Sequence, residues 1–420
     1  MDTIVVRGGV PLQGEITVSG SKNAALPLLF ASLLTADECR LERVPQLVDI
    51  CTALRLLREL GVQFDWLSDT EVALNASDVR HLEAPYELVK TMRASFLVLG
   101  PLLARFGRAR VSTPGGCAIG ARPVNIHLDG LQQMGAAIRV QQGYVEAEAK
   151  RLHGAEITLE FPSVGATENL MMAATLAEGA TLIENAAREP EIEDLALLLN
   201  AMGAEIRGAG SPTIIIEGVP TLHGAAHTVI PDRVEAGTFL IAGAITSGDV
   251  FVRGCRGDHL RAFLEKLAEA GVHIEETIEG VRASCAGRPG SANFVTQPYP
   301  GFPTDLQAQM MALLTLSDGC SSLTETIFEN RFLHAQELAR LGADIRIHGN
   351  LAEVRGVAFL SGAPVMATDL RASVSLVLAG LAAQGVTEIS RVYHLDRGYE
   401  RIEEKLSQLG ADIRRVKGKE

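Results

Sequence analysis

Apolar and polar positions recur along this chain in one pattern written six times. The phrase reads L-R-E-L-G-V-Q-F, L-Q-Q-M-G-A-A-I, L-N-A-M-G-A-E-I, L-A-E-A-G-V-H-I, L-A-R-L-G-A-D-I and L-S-Q-L-G-A-D-I. Its shared glycines are Gly61, Gly135, Gly203, Gly271, Gly342 and Gly410, at intervals of 74, 68, 68, 71 and 68 residues. A glycine just after the last helical apolar position predicts a left-handed residue that ends an amphipathic helix, with a strand following.

Upstream of each phrase lies a second helical stretch: N-A-A-L-P-L-L-F-A-S-L-L, R-A-S-F-L-V-L-G-P-L-L-A, T-E-N-L-M-M-A-A-T-L-A, E-A-G-T-F-L-I-A-G-A-I, L-Q-A-Q-M-M-A-L-L-T-L and R-A-S-V-S-L-V-L-A-G-L-A-A. These are apolar nearly all round and rich in small residues, so they are expected to be buried on every side and to approach one another closely. The unit is therefore buried helix, strand, amphipathic helix, strand, strand. Six units exceed what one core serves. The expected division is three and three, with residues 22–229 carrying the loop around Cys117, and residues 1–21 joining 230–420. The sixth unit ends too near Glu420 to complete its strands, so the opening strands at 3–7 and 15–18 are expected to complete it. The chain then crosses between domains near Ser21 and near Pro231, which favours a hinge. The alternative is a solenoid with a protein-binding concave face, but solenoid repeats are shorter and lack unequal charged insertions at equivalent positions.

Composition narrows the classes. The 420 residues are 47% hydrophobic but only 5% aromatic, which implies a core of small aliphatic side chains. A charged fraction of 21% and a mean hydropathy of +0.17 exclude a disordered chain. Fifty-one acids against 38 bases give a net charge of −13, which argues against broad binding to nucleic acid or an anionic membrane. The longest apolar runs are about 11 residues, against roughly 20 for a membrane span. The start has no basic segment followed by an apolar one, so the cytoplasm is the expected compartment. Six scattered cysteines without a C-x-x-C pair indicate neither a disulfide framework nor zinc. His223 and His227 are four apart across what reads as a loop. No metal or organic cofactor is implied.

Each buried helix opens on a polar cluster, among them Ser21-Lys22-Asn23, the stretch ending in Arg93, Asp232-Arg233, Thr304-Asp305 and Asp369-Leu370-Arg371. Parallel helices within a domain would bring these starts to one end, where free backbone N–H groups favour anions. Lys22, Arg93, Arg233 and Arg371 strengthen that field, and a cleft so lined fits a small polyanionic substrate. The alternative is ordinary caps beside solvated bases. Three glycines around Cys117, with Arg122 five residues on, make a loop whose thiol either reaches a ligand or is incidental. The other cysteines read as inert core thiols. Asp396 fits the N-cap of the last amphipathic helix, and the stretch from Glu325 to Arg331 fits a strand-to-helix corner.

The ordered set S-G-S-K-N-A-A-L-P, T-M-R-A-S, P-G-G-C-A-I-G-A-R-P-V, S-V-G-A-T-E-N, N-A-A-R-E-P-E-I, P-T-D-L-Q-A-Q, F-E-N-R-F, M-A-T-D-L-R-A-S and H-L-D-R-G-Y-E-R resembles the UDP-N-acetylglucosamine 1-carboxyvinyltransferase family of the EPSP synthase superfamily, along the whole chain. The resemblance implies an α/β fold, a two-domain inside-out α/β barrel of six βαβαββ-type repeats, three per domain. It implies transfer of the enolpyruvyl group of phosphoenolpyruvate to the 3′-hydroxyl of UDP-N-acetylglucosamine, with no cofactor and with these small molecules, rather than nucleic acid or a membrane, as partners; it leaves the oligomeric state open. By the same match, Lys22, Arg122 and Arg397 hold the phosphoenolpyruvate anion, with Asn23 and Arg93 beside it. Cys117 is the loop acid and Asp305 the base near the sugar hydroxyl, while Asp369, Arg371 and Arg331 support the site. The nucleotide sugar meets Arg122, Pro123, Val124, Asn125 and Ile126, then Ser163, Val164 and Gly165, and Ile327.

Two positions depart from that pattern. Asn125 stands where an aspartate is expected, and Phe161-Pro162 where a basic residue often precedes S-V-G, so nucleotide affinity is affected more than chemistry. Enolpyruvyl transfer needs a proton delivered to the methylene carbon and an alcohol attacking its neighbour, hence an acid and a base at opposite ends of the double bond. Removing Lys22 or Arg397 is expected to lower activity by orders of magnitude with normal folding. The rivals are the sister transferase acting on shikimate 3-phosphate, whose entrance motif differs and which lacks the G-G-C loop, and a silent binding paralogue.

Overall fold

A computed structural model of the chain describes residues 2–114 and 124–418. The six amphipathic helices are Val48–Leu60, Asn125–Gln133, Pro190–Ala201, Arg261–Glu269, Leu333–Arg340 and Ile402–Gln408. Each repeat glycine follows its helix with φ between +79° and +108°. That region is open to glycine without a Cβ clash, so the chain turns at once into the next strand.

The buried helices are Lys22–Ala31, Leu99–Phe106, Val164–Ala174, Arg233–Ile245, Gln307–Leu314 and Leu370–Ala382. The second is shorter than its apolar run, because residues 93–98 form a 3₁₀ helix instead. Two successive N–H groups are withdrawn from the α-helical ladder there. Pro101 has none, and Gly100 gives its own to Asn169 Oδ1 at 2.6 Å. Small residues also set the spacing between helices. A Cβ on Gly100 would overlap the backbone of Asn169, and one on Gly237 would press into the Leu306 side chain.

Among the described residues, six four-stranded sheets share one plan, a parallel pair followed by two antiparallel pairings. Strands such as Thr213–Glu217 alternate exposed and buried residues, so one sheet face packs on the helices and the other faces outward. Helices inside and sheets outside make each unit an inside-out α/β barrel.

The chain divides into two units, residues 20–114 with 124–230 and residues 2–19 with 231–418, each with its own hydrophobic core. The opening strands part company. Thr3–Arg7 lies antiparallel between Val386–Ser390 and Asp412–Val416, completing the sixth repeat. The next strand, Gln13–Thr17, pairs in parallel with Asp249–Arg253 of the fourth repeat. Its place beside Glu38–Glu42 in the first repeat is taken by Ala226–Thr228. His227 therefore sits in a strand rather than a loop, and its Nε2 meets Asp194 at 2.8 Å. Hydrogen bonds bracket the crossings, Asp232 N to Ser19 O (2.9 Å) in one unit and Ser21 N to Ile230 O (2.7 Å) in the other.

Candidate active site

In the unit of residues 20–230, Ser21 caps the first buried helix, its Oγ accepting from Ala24 N at 3.3 Å. Lys22 follows as the first helical residue, and its side chain is only 8% exposed. Its Nζ lies 2.6 Å from Asp49 Oδ2, a carboxylate 4% exposed in the first turn of Val48–Leu60. This is a desolvated ion pair, so the reading of Lys22 as a solvated base beside a cap does not hold. Sequence reasoning missed Asp49; its signal was an acid on the buried face of an amphipathic helix. Asn23 is half-buried beside Lys22, and Arg93 is half-buried at the start of the 3₁₀ turn.

Two further helix starts meet in this unit. Ser163 caps Val164–Ala174, its Oγ accepting from Ala166 N at 3.3 Å. Val124 and Asn125 open the helix Asn125–Gln133, with Ile126 half-buried and Asn125 exposed. Buried His127 joins the two. A Cβ on Gly165 would lie 3.4 Å from His127 Cε1, an ordinary contact, so the imidazole sits directly against the start of the other helix. Asn169 Oδ1 is taken by Gly100 N, so its amide nitrogen donates to His127 Nδ1 at 3.1 Å. Phe96 stands edge-on to the imidazole at 5.3 Å. His127 and Asn169 were not singled out from the sequence, although an asparagine inside an all-apolar helix was a readable sign. Phe161 is 41% exposed just before the cap. Cys117, Arg122 and Pro123 lie outside the described residues.

The unit of residues 2–19 and 231–418 holds the second group. Asp232 and Asp369 are N-caps, each accepting two backbone N–H bonds from the first turn that follows. Asp305 sits at the start of the fifth buried helix and is gripped from two sides, Arg331 Nη2 at 2.9 Å from Oδ1 and Arg371 Nη2 at 3.1 Å from Oδ2. Both guanidinium side chains are 4% exposed and the carboxylate 28%. Burial works to raise the Asp305 pKa, but the charges of Arg371, Arg331 and Arg233 outweigh it and hold the carboxyl well below the usual carboxylate range. Arg371 Nη1 is buried with no hydrogen-bond acceptor among the described residues.

Around this group, Glu325 turns the corner from strand to helix, accepting from Ile327 N at 2.8 Å and from the hydroxyls of Thr296 and Thr304. Arg331 leaves that corner for Asp305, so the stretch is both a corner and a site element. His334, three residues on, is fully buried with neither ring nitrogen hydrogen-bonded among the described residues. Burial pushes its pKa down to about 4. Arg397 is half-buried at the end of the 3₁₀ turn Val392–Arg397. Asp396 does not cap the last helix, whose N-cap is Arg401. Its carboxylate is drawn instead to Arg415, at 2.6 and 3.0 Å.

The thiols also differ from expectation. Cys39, Cys255 and Cys285 are buried, but Cys51 and Cys320 are exposed. Cys51 falls on the outer face of its helix, and Cys320 opens a strand on an outward position. Burial pushes the Cys255 thiol up to about 12 and raises those of Cys39 and Cys285. Among the described residues no cluster of acids, histidines and cysteines forms a metal site, and no helix is long and apolar enough to cross a membrane.

Two inside-out α/β barrels are the fold of the enolpyruvyl transferases. The chain belongs to the EPSP synthase (3-phosphoshikimate 1-carboxyvinyltransferase) family, whose model matches residues 6–406. It is similar to the enolpyruvyl transferase NikO from Streptomyces tendae, at 27% identity and a TM-score of 0.90 over 99% of both chains. EPSP synthase from Acinetobacter baumannii shares the fold at 18% identity and a TM-score of 0.79, over 99% of this chain and all of that one.

Proposed function

We propose that the chain transfers the enolpyruvyl group of phosphoenolpyruvate to the 3′-hydroxyl of UDP-N-acetylglucosamine, releasing phosphate, as the first committed step of peptidoglycan precursor synthesis in the cytoplasm. The observation that carries the choice of acceptor is the meeting of two helix starts, Ser163–Gly165 and Asn125–Ile126, locked by His127 and Asn169. The first offers free backbone N–H groups to a diphosphate, and the second offers backbone polar groups to a uracil edge. With exposed Phe161 in place of a basic residue, the diphosphate draws more of its binding from those N–H groups.

Lys22, Arg122 and Arg397 neutralise the phosphate and carboxylate of the donor, with Asn23 and Arg93 beside them. Cys117 delivers a proton to the methylene carbon, making the adjacent carbon electrophilic, and the sugar hydroxyl adds there as Asp305 takes its proton. Loss of a proton from the methyl carbon and departure of phosphate restore the double bond. The neighbouring arginines hold the Asp305 carboxyl ionised near neutral pH, so it carries no proton of its own there. It is a weak base while both arginines hold it, and strengthens as Arg331 and Arg371 turn toward an incoming anion. Asp369 supports Arg371 by capping its helix, and Ile327 lines the acceptor side.

Phosphate release measured with phosphoenolpyruvate and either UDP-N-acetylglucosamine or shikimate 3-phosphate tests the reading. Turnover with the nucleotide sugar alone, and a product heavier by one enolpyruvyl group, are expected. Turnover with shikimate 3-phosphate, or with neither acceptor, would overturn it.

A further inference from the structure

Arg415 lies in the last strand, Asp412–Val416, paired with Ile4 of the opening strand. Its guanidinium is a fork between two hydrogen-bonded carboxylates, with Asp2 Oδ2 farther off at 3.7 Å from Nη1. Nη1 and Nη2 hold Asp396 at 3.0 and 2.6 Å, while Nε and Nη2 hold Glu403 at 2.5 and 3.3 Å. The three side chains are 21%, 32% and 15% exposed, so the fork is largely shielded. The two acids are not equivalent, because Asp396 is the immediate neighbour of Arg397, while Glu403 lies beyond the turn in the last helix.

The segment that carries Arg397 needs holding. It is bracketed by Arg391 at φ 59° and Arg401 at φ 44°, left-handed positions that non-glycine residues keep only when their surroundings enforce them. At its far end Glu400 accepts from Ser19 Oγ at 3.0 Å, and Lys405 Nζ ties Ser19 Oγ to Glu235 Oε1, each at 2.6 Å. The segment is thus fastened at 396 and at 400, with Arg397 between the fastenings.

We infer that Arg415 is a positioning residue for Arg397, setting through Asp396 where that guanidinium meets the anionic donor. The inference rests on the donor-binding role proposed for Arg397. Only arginine presents a planar fork able to hold both carboxylates at once, so lysine is not an equivalent.

The test is phosphate release against phosphoenolpyruvate concentration at saturating UDP-N-acetylglucosamine, for the wild type, Arg397→Ala, Arg415→Met, Asp396→Asn and Glu403→Gln. Misplacement of a binding group by about 1 Å lowers rates by up to about a hundredfold, so Arg415→Met and Asp396→Asn should raise the phosphoenolpyruvate KM by roughly tenfold or more. The KM for the nucleotide sugar should stay put. Glu403→Gln loosens the same fork away from Arg397, so it should lower the melting temperature while leaving the phosphoenolpyruvate KM at the wild-type value. Should Arg415→Met not fold, Asp396→Asn against Glu403→Gln decides. A wild-type KM in Asp396→Asn, or equal shifts in Asp396→Asn and Glu403→Gln, overturns the positioning role. An unchanged KM in Arg397→Ala overturns the donor-site reading itself, which is a separate result.

Discussion

Replacing Lys22 by methionine removes a charge that two different things depend on. One, in the function proposed above, is the donor anion, and the other is Asp49, whose carboxylate lies 2.6 Å from the ammonium with 4% of its side chain exposed. Taking one partner from a buried pair leaves the other charge uncompensated, which destabilises by about 3–5 kcal/mol. A domain holds only about 5–15 kcal/mol, so the loss is a large share. For a unit of this size each kcal/mol moves the melting temperature by about 2–4 °C, so Lys22→Met should melt about 6–20 °C lower. The variant is therefore expected to fold but with a lowered melting temperature. Asp49→Asn should fall by a similar amount. The double variant, with no charge left, should return to within a few degrees of the wild type. Activity behaves otherwise, because losing a charged partner of the donor costs about 2–5 kcal/mol, roughly thirtyfold to several thousandfold, with or without Asp49. Calorimetry and phosphate release on the four proteins give the full cycle. A Lys22→Met protein melting within 2 °C of the wild type, or a double variant no more stable than the singles, would refute the reasoning.

Thiol labelling should separate exposure from function. A small alkylating reagent should modify Cys51 and Cys320 in the free protein and leave buried Cys39, Cys255 and Cys285 untouched, as peptide mapping would show. By the resemblance, fosfomycin should add once, to Cys117, faster with UDP-N-acetylglucosamine present; an adduct at Cys51 or Cys320 instead would remove Cys117 from the chemistry. His334, lowered to about 4 by burial against about 6.5 when unfolded, makes the unfolded chain bind more protons between those values. Its contribution is therefore present above about pH 6.5 and lost as pH falls toward 4. The wild-type minus His334→Asn difference in melting temperature should shrink over that window, and parallel curves would contradict it.

The repeat was legible because its signals are local. Six glycines after six amphipathic helices report a backbone conformation that depends on neighbours in sequence, and six all-apolar stretches report burial without saying against what. The helix caps at Ser21, Asp232 and Asp369 lie within three residues of the N–H groups they satisfy, and so were visible in the string. Site residues named through the resemblance also clustered at those starts, as Lys22, Asp305 and Arg371 do.

What the chain order concealed are the partnerships made across long separations. Asp49 with Lys22, Arg331 with Asp305, and Arg415 with Asp396 are pairings of charge, and a lone acid or base in a sequence looks the same whether it faces water or a counter-ion. The exchange of Gln13–Thr17 and Ala226–Thr228 between repeats was equally hidden, since both strands carry a similar pattern and either sheet edge would accept either. Backbone conformation and burial follow from short-range sterics and hydrophobicity, which sequence alone determines. Which charge neutralises which, and which sheet takes which strand, follow from distances that exist only after the helices and sheets have packed.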